Sequence, residues 1–341
     1  MQVTLQLPSH LDEVRAIEFI AHLFEQTNAE HIILDFTPLQ FVRPLGTLLL
    51  ASELRRFFST LSRSFTGKGI DIIGCPAHSY LAHIGFFKGI GLPFGKQPGQ
   101  ATGSSTYMPI RVLTRAELEN SSRYNDPRFD DLSERAKLGN SIQSEAMRLA
   151  ALVTGDPRPR INIQIAYCLR EIIRNVFEHG QIDQCIVYAQ RMLSGHVEAA
   201  IVDRGCGIFA SLSEKHRLPS ETSALEAAIR PGVSGTALDE SGDEWSNSGF
   251  GLYVLSEVGK RLGSFVLCSG SSVLRAEDGN AFTASLPHKL AGTSVGLRFR
   301  QLKSSKFDEY VKEIIASGEA IAAQSGRKVK ASKSTQLSSI P

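Results

Sequence analysis

Residues 1–113 alternate between short apolar strand patterns and amphipathic helix patterns. The chain opens with Val3, Leu5 and Leu7 separated by polar residues, which is the two-residue period of a half-buried strand. Further strand patterns cover 31–36, 69–74 and 108–112, and helix patterns cover 9–26, 41–63 and 76–91. Alternation of this kind predicts a small α/β domain.

Residues 114–154 are predicted to be a helical connector, and residues 155–302 to be a second α/β domain. Thr114 and Glu117 have the spacing of a capping box, so a short helix should begin there. Helix patterns then cover 131–152, 161–180, 221–229 and 252–258, and strand patterns cover 184–192, 196–203, 265–269, 273–276, 281–286 and 295–299. In residues 303–341 we expect a helix at 307–323 and a disordered Ser/Lys-rich tail from Ser325.

Length and charge narrow the class of protein. The chain has 341 residues, which is enough for two domains that each bury a core. Its 37 Lys and Arg residues nearly balance 35 Asp and Glu residues, and the formal net charge is +2. Because the basic residues are scattered and form no stripe, no nucleic-acid partner is predicted.

The cysteines and the hydropathy pattern bear on the cellular compartment. Five cysteines are an odd number, and they have no CxxC spacing, which favours reduced thiols. The sequence contains neither a basic-then-apolar leader at its start nor an apolar run of membrane length. We therefore expect a cytoplasmic protein without a membrane partner.

The helix pattern at 161–180 carries two polar residues beside its apolar stripe. Glu171 and Asn175 are four residues apart, so they lie one above the other on one helix face. A carboxylate and an amide in that register can orient a water molecule and coordinate a metal ion. The alternative is a pair of solvated residues on an ordinary amphipathic helix.

Glycine-rich motifs follow two of the later patterns. Asp203 ends an apolar strand and is followed by Gly205 and Gly207. The glycines allow the backbone to approach a flat ligand closely, and the carboxylate can accept a hydrogen bond from an amino group of that ligand. Residues 248–252 (Ser-Gly-Phe-Gly-Leu) open a helix pattern, and the N-terminus of a helix is a ready anion site. Gly292-Thr293 then opens the last strand pattern.

The four motifs Glu-x-x-x-Asn, Asp-x-Gly-x-Gly, Gly-x-Gly-Leu and Gly-Thr, in this order over 155–302, resemble the GHKL (Bergerat-fold) ATP-binding domain. Gyrase-type topoisomerases, heat-shock chaperones, sensor histidine kinases and mismatch-repair ATPases share this domain. The Glu-x-x-x-Asn-x-x-x-His-Gly form of the first motif is most similar to the anti-sigma-factor serine kinases of bacterial partner-switching systems. The resemblance implies an α/β sandwich in which a mixed sheet, with helices on one face, holds Mg²⁺ and ATP beneath a mobile lid over about 209–248.

The resemblance also implies a role for each motif residue. Glu171 would be the catalytic general base that polarises a water or a protein hydroxyl toward the γ-phosphate. Asn175 would hold Mg²⁺, and Asp203 would bind the adenine amino group. The remaining nucleotide-binding residues would shape the base pocket, cradle phosphates or bond near the adenine: Gly205, Gly207, Gly249, Phe250, Gly251, Leu252 and Thr293.

Residues 1–113 resemble a second family, the STAS domain of anti-anti-sigma factors. In that family a strand, here within 32–50, leads to a loop and a helix that carries a phosphorylatable serine. Residues 43–46 (Arg-Pro-Leu-Gly) stand where the family has Asp-Ser-Ser-Gly, so the acceptor serine is missing and Thr47 is offset. We therefore expect this degenerate STAS-like domain to have a docking or autoinhibitory role.

Two related classes fit the sequence poorly. A two-component histidine kinase needs a phosphate-accepting histidine on a helix before its ATP domain, but no histidine lies between His83 and His179. A gyrase-type or repair-type ATPase needs a further domain after the ATP site, whereas here only 301–341 follow Arg300.

Two functions remain open. The first is a bacterial signalling enzyme that uses Mg²⁺ and ATP as an anti-sigma-type serine/threonine protein kinase or as a slow ATPase. The second is a non-catalytic switch in which bound ATP controls docking of the STAS-like domain or of a partner. Both imply protein partners, such as a STAS-domain protein or a sigma-factor regulator, and both are compatible with a homodimer.

Overall fold

The structure of the protein, a computed structural model, describes residues 2–63, 69–74, 79–104, 106–156, 158–235, 248–302, 304–327 and 329–332. It is an α+β structure with both parallel and antiparallel sheets. Cys75, the start of the predicted helix at Pro76, residues 236–247 of the predicted lid and the tail beyond Ser332 lie outside the described residues. Within those residues, no helix has both the length and the apolar composition needed to cross a bilayer.

The N-terminal unit contains a three-stranded parallel sheet flanked by helices. Its strands are β1 (Gln2–Gln6), β3 (His31–Asp35) and β5 (Gly69–Ile73), in the order β1-β3-β5, with a short parallel pair β2 (His10–Leu11) and β4 (Phe41–Val42) beside them. Helices α1 (Glu13–Glu25) and α2 (Pro44–Arg63) connect the strands, in the predicted alternation. Helix α1 begins later than predicted because Asp12 caps it and accepts the Arg15 N–H at 2.9 Å.

The third predicted helix of this unit is interrupted. It consists of α3 (Tyr80–Ile84) and α4 (Phe86–Gly89). Gly85 between them has a φ of 94°, a left-handed conformation that an α-helix cannot continue through.

The second unit is built on a five-stranded sheet in the order β6-β7-β8-β10-β9. Its strands are β6 (Tyr107–Thr114), β7 (Gln184–Arg191), β8 (His196–Val202), β9 (Gly263–Glu277) and β10 (Asn280–Arg300). Every pair of neighbouring strands in this sheet is antiparallel. The resemblance implied a mixed sheet, and that expectation is wrong for the described residues. Two long helices, α6 (Glu134–Thr154) and α7 (Pro159–His179), separate β6 from β7, and two short helices, α8 (Gly207–Ser213) and α9 (Glu221–Ala228), follow β8. The chain runs along the sheet once in each of the two long helices, so β7 starts at the end where β6 stops and lies antiparallel to it.

Several predicted boundaries shift in this unit. Strand β6, predicted as the last strand of the N-terminal domain, pairs with β7, so the division between the two sheets falls before it rather than at residue 113. The four strand patterns between 265 and 299 belong to two long strands, and register shifts around Leu290 and Thr293 explain the apparent breaks. The capping box is confirmed, and α5 (Arg115–Glu119) follows Thr114. Helix α7 ends at Gly180 as predicted, although the left-handed residue is Gln181, with a φ of 51°.

Helices cover both faces of the five-stranded sheet, whereas the resemblance implied helices on one face. Residues alternate between the two faces of a strand, and β8 shows the consequence. Val197, Ala199 and Ile201 belong to the core shared with α6, α7, α10 (Gly251–Leu262) and α11 (Ser304–Gln324). Ala200 and Val202 belong to the core shared with α1 and α2. The N-terminal unit is thus packed against the opposite face of the sheet.

The C-terminal segment is more ordered than its composition predicted. Helix α11 confirms the helix expected at 307–323. The tail was expected to be disordered from Ser325, but Ala331 and Ser332 are each only 7% exposed. The chain turns back after α11, where Arg327 N donates to Ala322 O at 2.9 Å and Ala331 N donates to Glu319 Oε1 at 3.0 Å.

Polar contacts fix α2 to the C-terminal end of β8 and to the irregular middle part of β10. Glu53 is only 2% exposed, and it accepts Arg56 Nε at 2.5 Å and the backbone N–H of Ala291 at 3.3 Å. Arg204, directly after β8, donates through Nη2 to Ser52 O at 3.2 Å. The N-terminal unit therefore contacts the residues next to Asp203 and Thr293.

We predict that Glu53→Ala lowers the free energy of unfolding by about 2–3 kcal/mol, because it leaves the Ala291 N–H and the Arg56 Nε–H without their acceptor. Urea titration followed by circular dichroism measures the change. Glu18→Ala, at an exposed position of α1, is the control and should change stability by less than about 0.5 kcal/mol. Equal stability of the two variants would contradict the prediction.

Candidate functional site

A cavity that is open to solvent lies between α7, α10 and one face of the five-stranded sheet, and its empty space, with the solvent at its mouth included, is about 950 Å³. Nine of the predicted site residues line it: Glu171, Asn175, Asp203, Gly207, Gly249, Phe250, Gly251, Leu252 and Thr293. Gly205 does not line the cavity; an ideal Cβ on it would lie 2.0 Å from the carbonyl oxygen of Gly180, so it packs against the end of α7.

Helix α7 presents Glu171 and Asn175 to the cavity one turn apart, as their spacing predicted. The apolar residues beside them, Ile172, Ile173 and Val176, are buried in the core, which fixes the rotation of the helix. The polar pair therefore lies at the boundary between the core and the cavity rather than in solvent, and Glu171 is only 3% exposed.

The Glu171 carboxylate is held on one side by Arg170. The Nε and Nη2 atoms of Arg170 donate to Glu171 Oε1 at 3.0 and 2.8 Å, and Arg170 Nη1 donates to Gln143 Oε1 at 3.1 Å. Arg174 Nη1 lies 4.0 Å from the same carboxylate oxygen. Glu171 Oε2 faces the start of α10, because an ideal Cβ on Gly251 would lie 2.8 Å from it. One oxygen is thus anchored, and the other faces the cavity.

Asn175 is suited to hold a hard cation together with a ligand. Its amide Nδ2 is buried and has no hydrogen-bond partner among the described residues, and an amide placed so can present its oxygen instead. No group of three or more His, Cys, Asp or Glu side chains in the described part of the chain could hold a metal alone. Mg²⁺ fits such a site, since it commonly takes most of its ligands from bound phosphate and water.

Asp203 is fixed by backbone N–H groups at the end of β8. Its Oδ1 accepts Gly205 N at 2.7 Å and Thr293 N at 3.3 Å. Burial raises the pKa of this carboxyl from 3.8 to about 6, although both hydrogen bonds act in the opposite direction. Since the two bonds use Oδ1, Oδ2 is the oxygen available to accept a hydrogen bond from a ligand in the cavity.

The N-terminus of α10 forms the glycine-rich end of the cavity. Gly249 has a φ of 67°, and an ideal Cβ on it would lie 2.6 Å from Val233 O, so only glycine fits here. Helix α10 begins at Gly251, and its N-cap residue Phe250 provides no side-chain cap within the described structure. The first N–H groups of α10 can therefore bind an anion, and the helix dipole favours one.

Arg174, His179 and Ser332 are polar cavity residues outside the predicted set of site residues. Arg174 lines the cavity and pairs with Glu178 at 3.1 Å. His179 lines it as well, and burial lowers the pKa of its imidazole, so the ring is neutral near pH 7. Ser332 comes from the segment that was expected to be disordered. The sequence offered a signal for two of them, because Arg174 follows Glu171 by three residues and His179 follows Asn175 by four on the same helix.

No family model, curated protein or solved structure matches the chain.

Proposed function

We propose that the cavity binds ATP with Mg²⁺ and that the protein is a signalling protein of the GHKL type, acting as a serine/threonine kinase or slow ATPase. The observation that carries the proposal is Asp203. A buried carboxylate with one oxygen fixed by backbone N–H groups and the other available recognises an exocyclic amino group. The walls around it are apolar and include Ile172, Ile201 and Leu267, which suits the faces of a purine ring.

The opposite end of the cavity has the groups that a polyphosphate requires. The N–H groups at the start of α10 suit phosphate oxygens, and Asn175 suits a Mg²⁺ ion carried by the nucleotide. Bound Mg²⁺ would neutralise charge on the phosphates.

Glu171 is placed to act on an attacking hydroxyl. Its Oε2 would accept the proton while the attacking oxygen forms a bond to the γ-phosphorus and the bond to the bridging oxygen of ADP breaks. Arg170 supports this role because it holds Oε1 and so fixes which oxygen faces the start of α10. A hydroxyl nucleophile gives a kinase, and a water nucleophile gives an ATPase.

A non-catalytic switch is the second candidate, and the packing of α2 favours it. The N-terminal unit, which we propose is a degenerate STAS-like domain, touches Arg204 and Ala291 beside the proposed adenine site. Thr47, the hydroxyl nearest to the missing acceptor serine, is fully buried and donates to Arg43 O at 2.8 Å. A docked regulatory unit therefore suits this domain better than a phosphorylated one.

Calorimetric titration with Mg²⁺ and ATP, followed by single-turnover assays with γ-labelled ATP, tests the proposal. We expect Glu171→Gln to lower turnover by at least about 100-fold while ATP affinity changes by less than about threefold, because glutamine keeps the shape but not the base. Glu145→Gln, in a more exposed arginine pair on α6, is the control.

The outcomes separate the alternatives. Failure of the wild-type protein to bind ATP at millimolar concentration would exclude the nucleotide site. Equal turnover of wild type and Glu171→Gln would exclude the general base. ATP binding without turnover would leave the switch.

A further inference from the structure

The inference concerns the hydroxyl that receives the phosphoryl group, and it rests on the proposed function. The cavity holds a serine from outside its own secondary structure elements, because Ser332 lines it from the C-terminal segment. Ser332 is 7% exposed, so its side chain is enclosed rather than lying on the surface.

Packing of α11 brings this segment to the cavity. Phe307 contacts Tyr167 of α7 edge-on, with ring centroids 6.2 Å apart, and Tyr253 of α10 donates to Ile314 O at 3.3 Å. Helix α11 is therefore fixed along the two helices that form the cavity wall. The turn after it reverses the chain, and the bond from Ala331 N to Glu319 Oε1 holds the residue next to Ser332.

Contacts of the segment place it at the phosphate end of the cavity. Val329 packs on Gly232, where an ideal Cβ would lie 2.5 Å from Val329 Cγ2. Gly232 N donates to Gly249 O at 3.1 Å, so the segment rests on the residues that support the glycine-rich turn. Glu171 Oε2 faces the same end, at Gly251.

Other hydroxyl groups fit the acceptor role less well. Thr47 is buried in the N-terminal unit, which packs on the opposite face of the sheet. Thr293 is part of β10 and Ser211 is part of α8, so neither can move without disturbing the cavity wall. Ser248 adjoins the glycine-rich turn, and Ser234 follows Val233, which packs on Gly249, so moving either one disturbs the cavity as well. Ser332 lies after α11 and outside the strands and helices of the described residues, so it can leave the cavity without breaking any of them. Its departure opens the path that ADP needs for release.

We propose that Ser332 is the cis acceptor of the γ-phosphoryl group. Its Oγ forms the new bond to phosphorus as the bond to the bridging oxygen of ADP breaks, and Glu171 takes the hydroxyl proton. After Glu171 releases that proton to solvent, the phosphoserine, which carries nearly two negative charges, lies beside an ionised carboxylate. Repulsion expels the segment, and Lys330 next to it pairs with the new phosphate in solvent. The product is a protein with an open cavity and a charged C-terminal segment.

The test is incubation of the full chain with γ-labelled ATP and Mg²⁺, followed by peptide mapping. We expect one phosphate per chain, on Ser332, with a rate constant that does not depend on protein concentration. The amount of label on the Ser332→Ala variant should be at least about tenfold lower than on the wild type. Ser325→Ala, at an exposed serine directly after α11, should carry as much label as the wild type. Ser332→Thr keeps a hydroxyl, so its label should appear as phosphothreonine.

Calorimetry on the same samples separates this inference from the proposed function. If ATP binds but Ser332→Ala is labelled like the wild type, or if Ser332→Thr yields no phosphothreonine, the inference is overturned and the nucleotide site stands. If the label is released only as inorganic phosphate, the inference is likewise overturned and the nucleotide site stands. If the wild-type protein binds no ATP, the proposed function fails first and the inference fails with it.

Discussion

The substitution Asp203→Asn is expected to weaken the affinity for ATP by about 100-fold, and also to stabilise the unliganded protein at neutral pH. Asparagine keeps an oxygen for the Gly205 and Thr293 N–H groups, and it then turns an NH₂ group toward the ligand. That group opposes the amino group of adenine, since both are donors. Inosine triphosphate carries an oxygen at the same place, so it should bind the variant better than ATP does.

The stability gain comes from removing a buried charge. The pKa of Asp203 is raised from 3.8 in the unfolded chain to about 6 in the folded one, which corresponds to roughly 3 kcal/mol. The folded state holds the proton more tightly, so the favourable contribution of the neutral carboxyl is present below pH 3.8 and is lost as the pH rises to about 6. The free energy of unfolding of the variant should therefore equal that of the wild type near pH 3.8 and exceed it by up to roughly 3 kcal/mol above about pH 6.

Urea titrations at several pH values between about 4 and 8, with calorimetry for both nucleotides, measure the two effects. Asp183→Asn is the matched control, because its side chain is 87% exposed and it should alter neither quantity. A variant that gains no stability at neutral pH contradicts the burial argument. A variant that gains stability but binds ATP like the wild type contradicts the role of Asp203 in recognising the base.

The spacing of polar residues in the sequence was enough to predict much of the cavity. Glu171 and Asn175 share a helix face because they are four residues apart, and Asp203 lies where its strand ends. These relations are local, so they hold whatever the rest of the chain does. Arg170 was not predicted because its burial depends on Gln143 of another helix, which no pattern within α7 contains.

Long-range packing explains the remaining differences. The second layer of helices on the five-stranded sheet was missed, although β8 has an apolar run on both of its faces that signals burial from two sides. The direction of β7 depends on the two helices before it. The expectation of a mixed sheet came from the family resemblance and took no account of these helices. The position of residues 329–332 depends on contacts with Gly232 and Glu319. The Ser/Lys-rich composition of the segment does not indicate these contacts.

The substitution Arg170→Met is expected to lower the free energy of unfolding by about 3–5 kcal/mol, because it removes the closest cation from a buried carboxylate. Arg170 is fully buried and Glu171 is 3% exposed, so water cannot take the place of the lost partner. Adding Glu171→Gln to this variant should restore about 2 kcal/mol or more, because a neutral amide tolerates burial without a cation. Urea titration of the wild type, both single variants and the double variant gives the coupling energy.

The pair Arg148 and Glu145 on α6 provides the comparison. Its guanidinium and carboxylate are 2.5 Å apart, but the arginine side chain is 44% exposed, so Arg148→Met and Glu145→Gln should couple by less than about 1 kcal/mol. Additive effects at Arg170 and Glu171 would show that the buried pair is no stronger than a surface pair. A strong coupling would mean that Arg170 sets the orientation of the Glu171 carboxylate before any nucleotide arrives. The orientation that the proposed chemistry needs would then be part of the folded protein and would not have to be induced by the substrate.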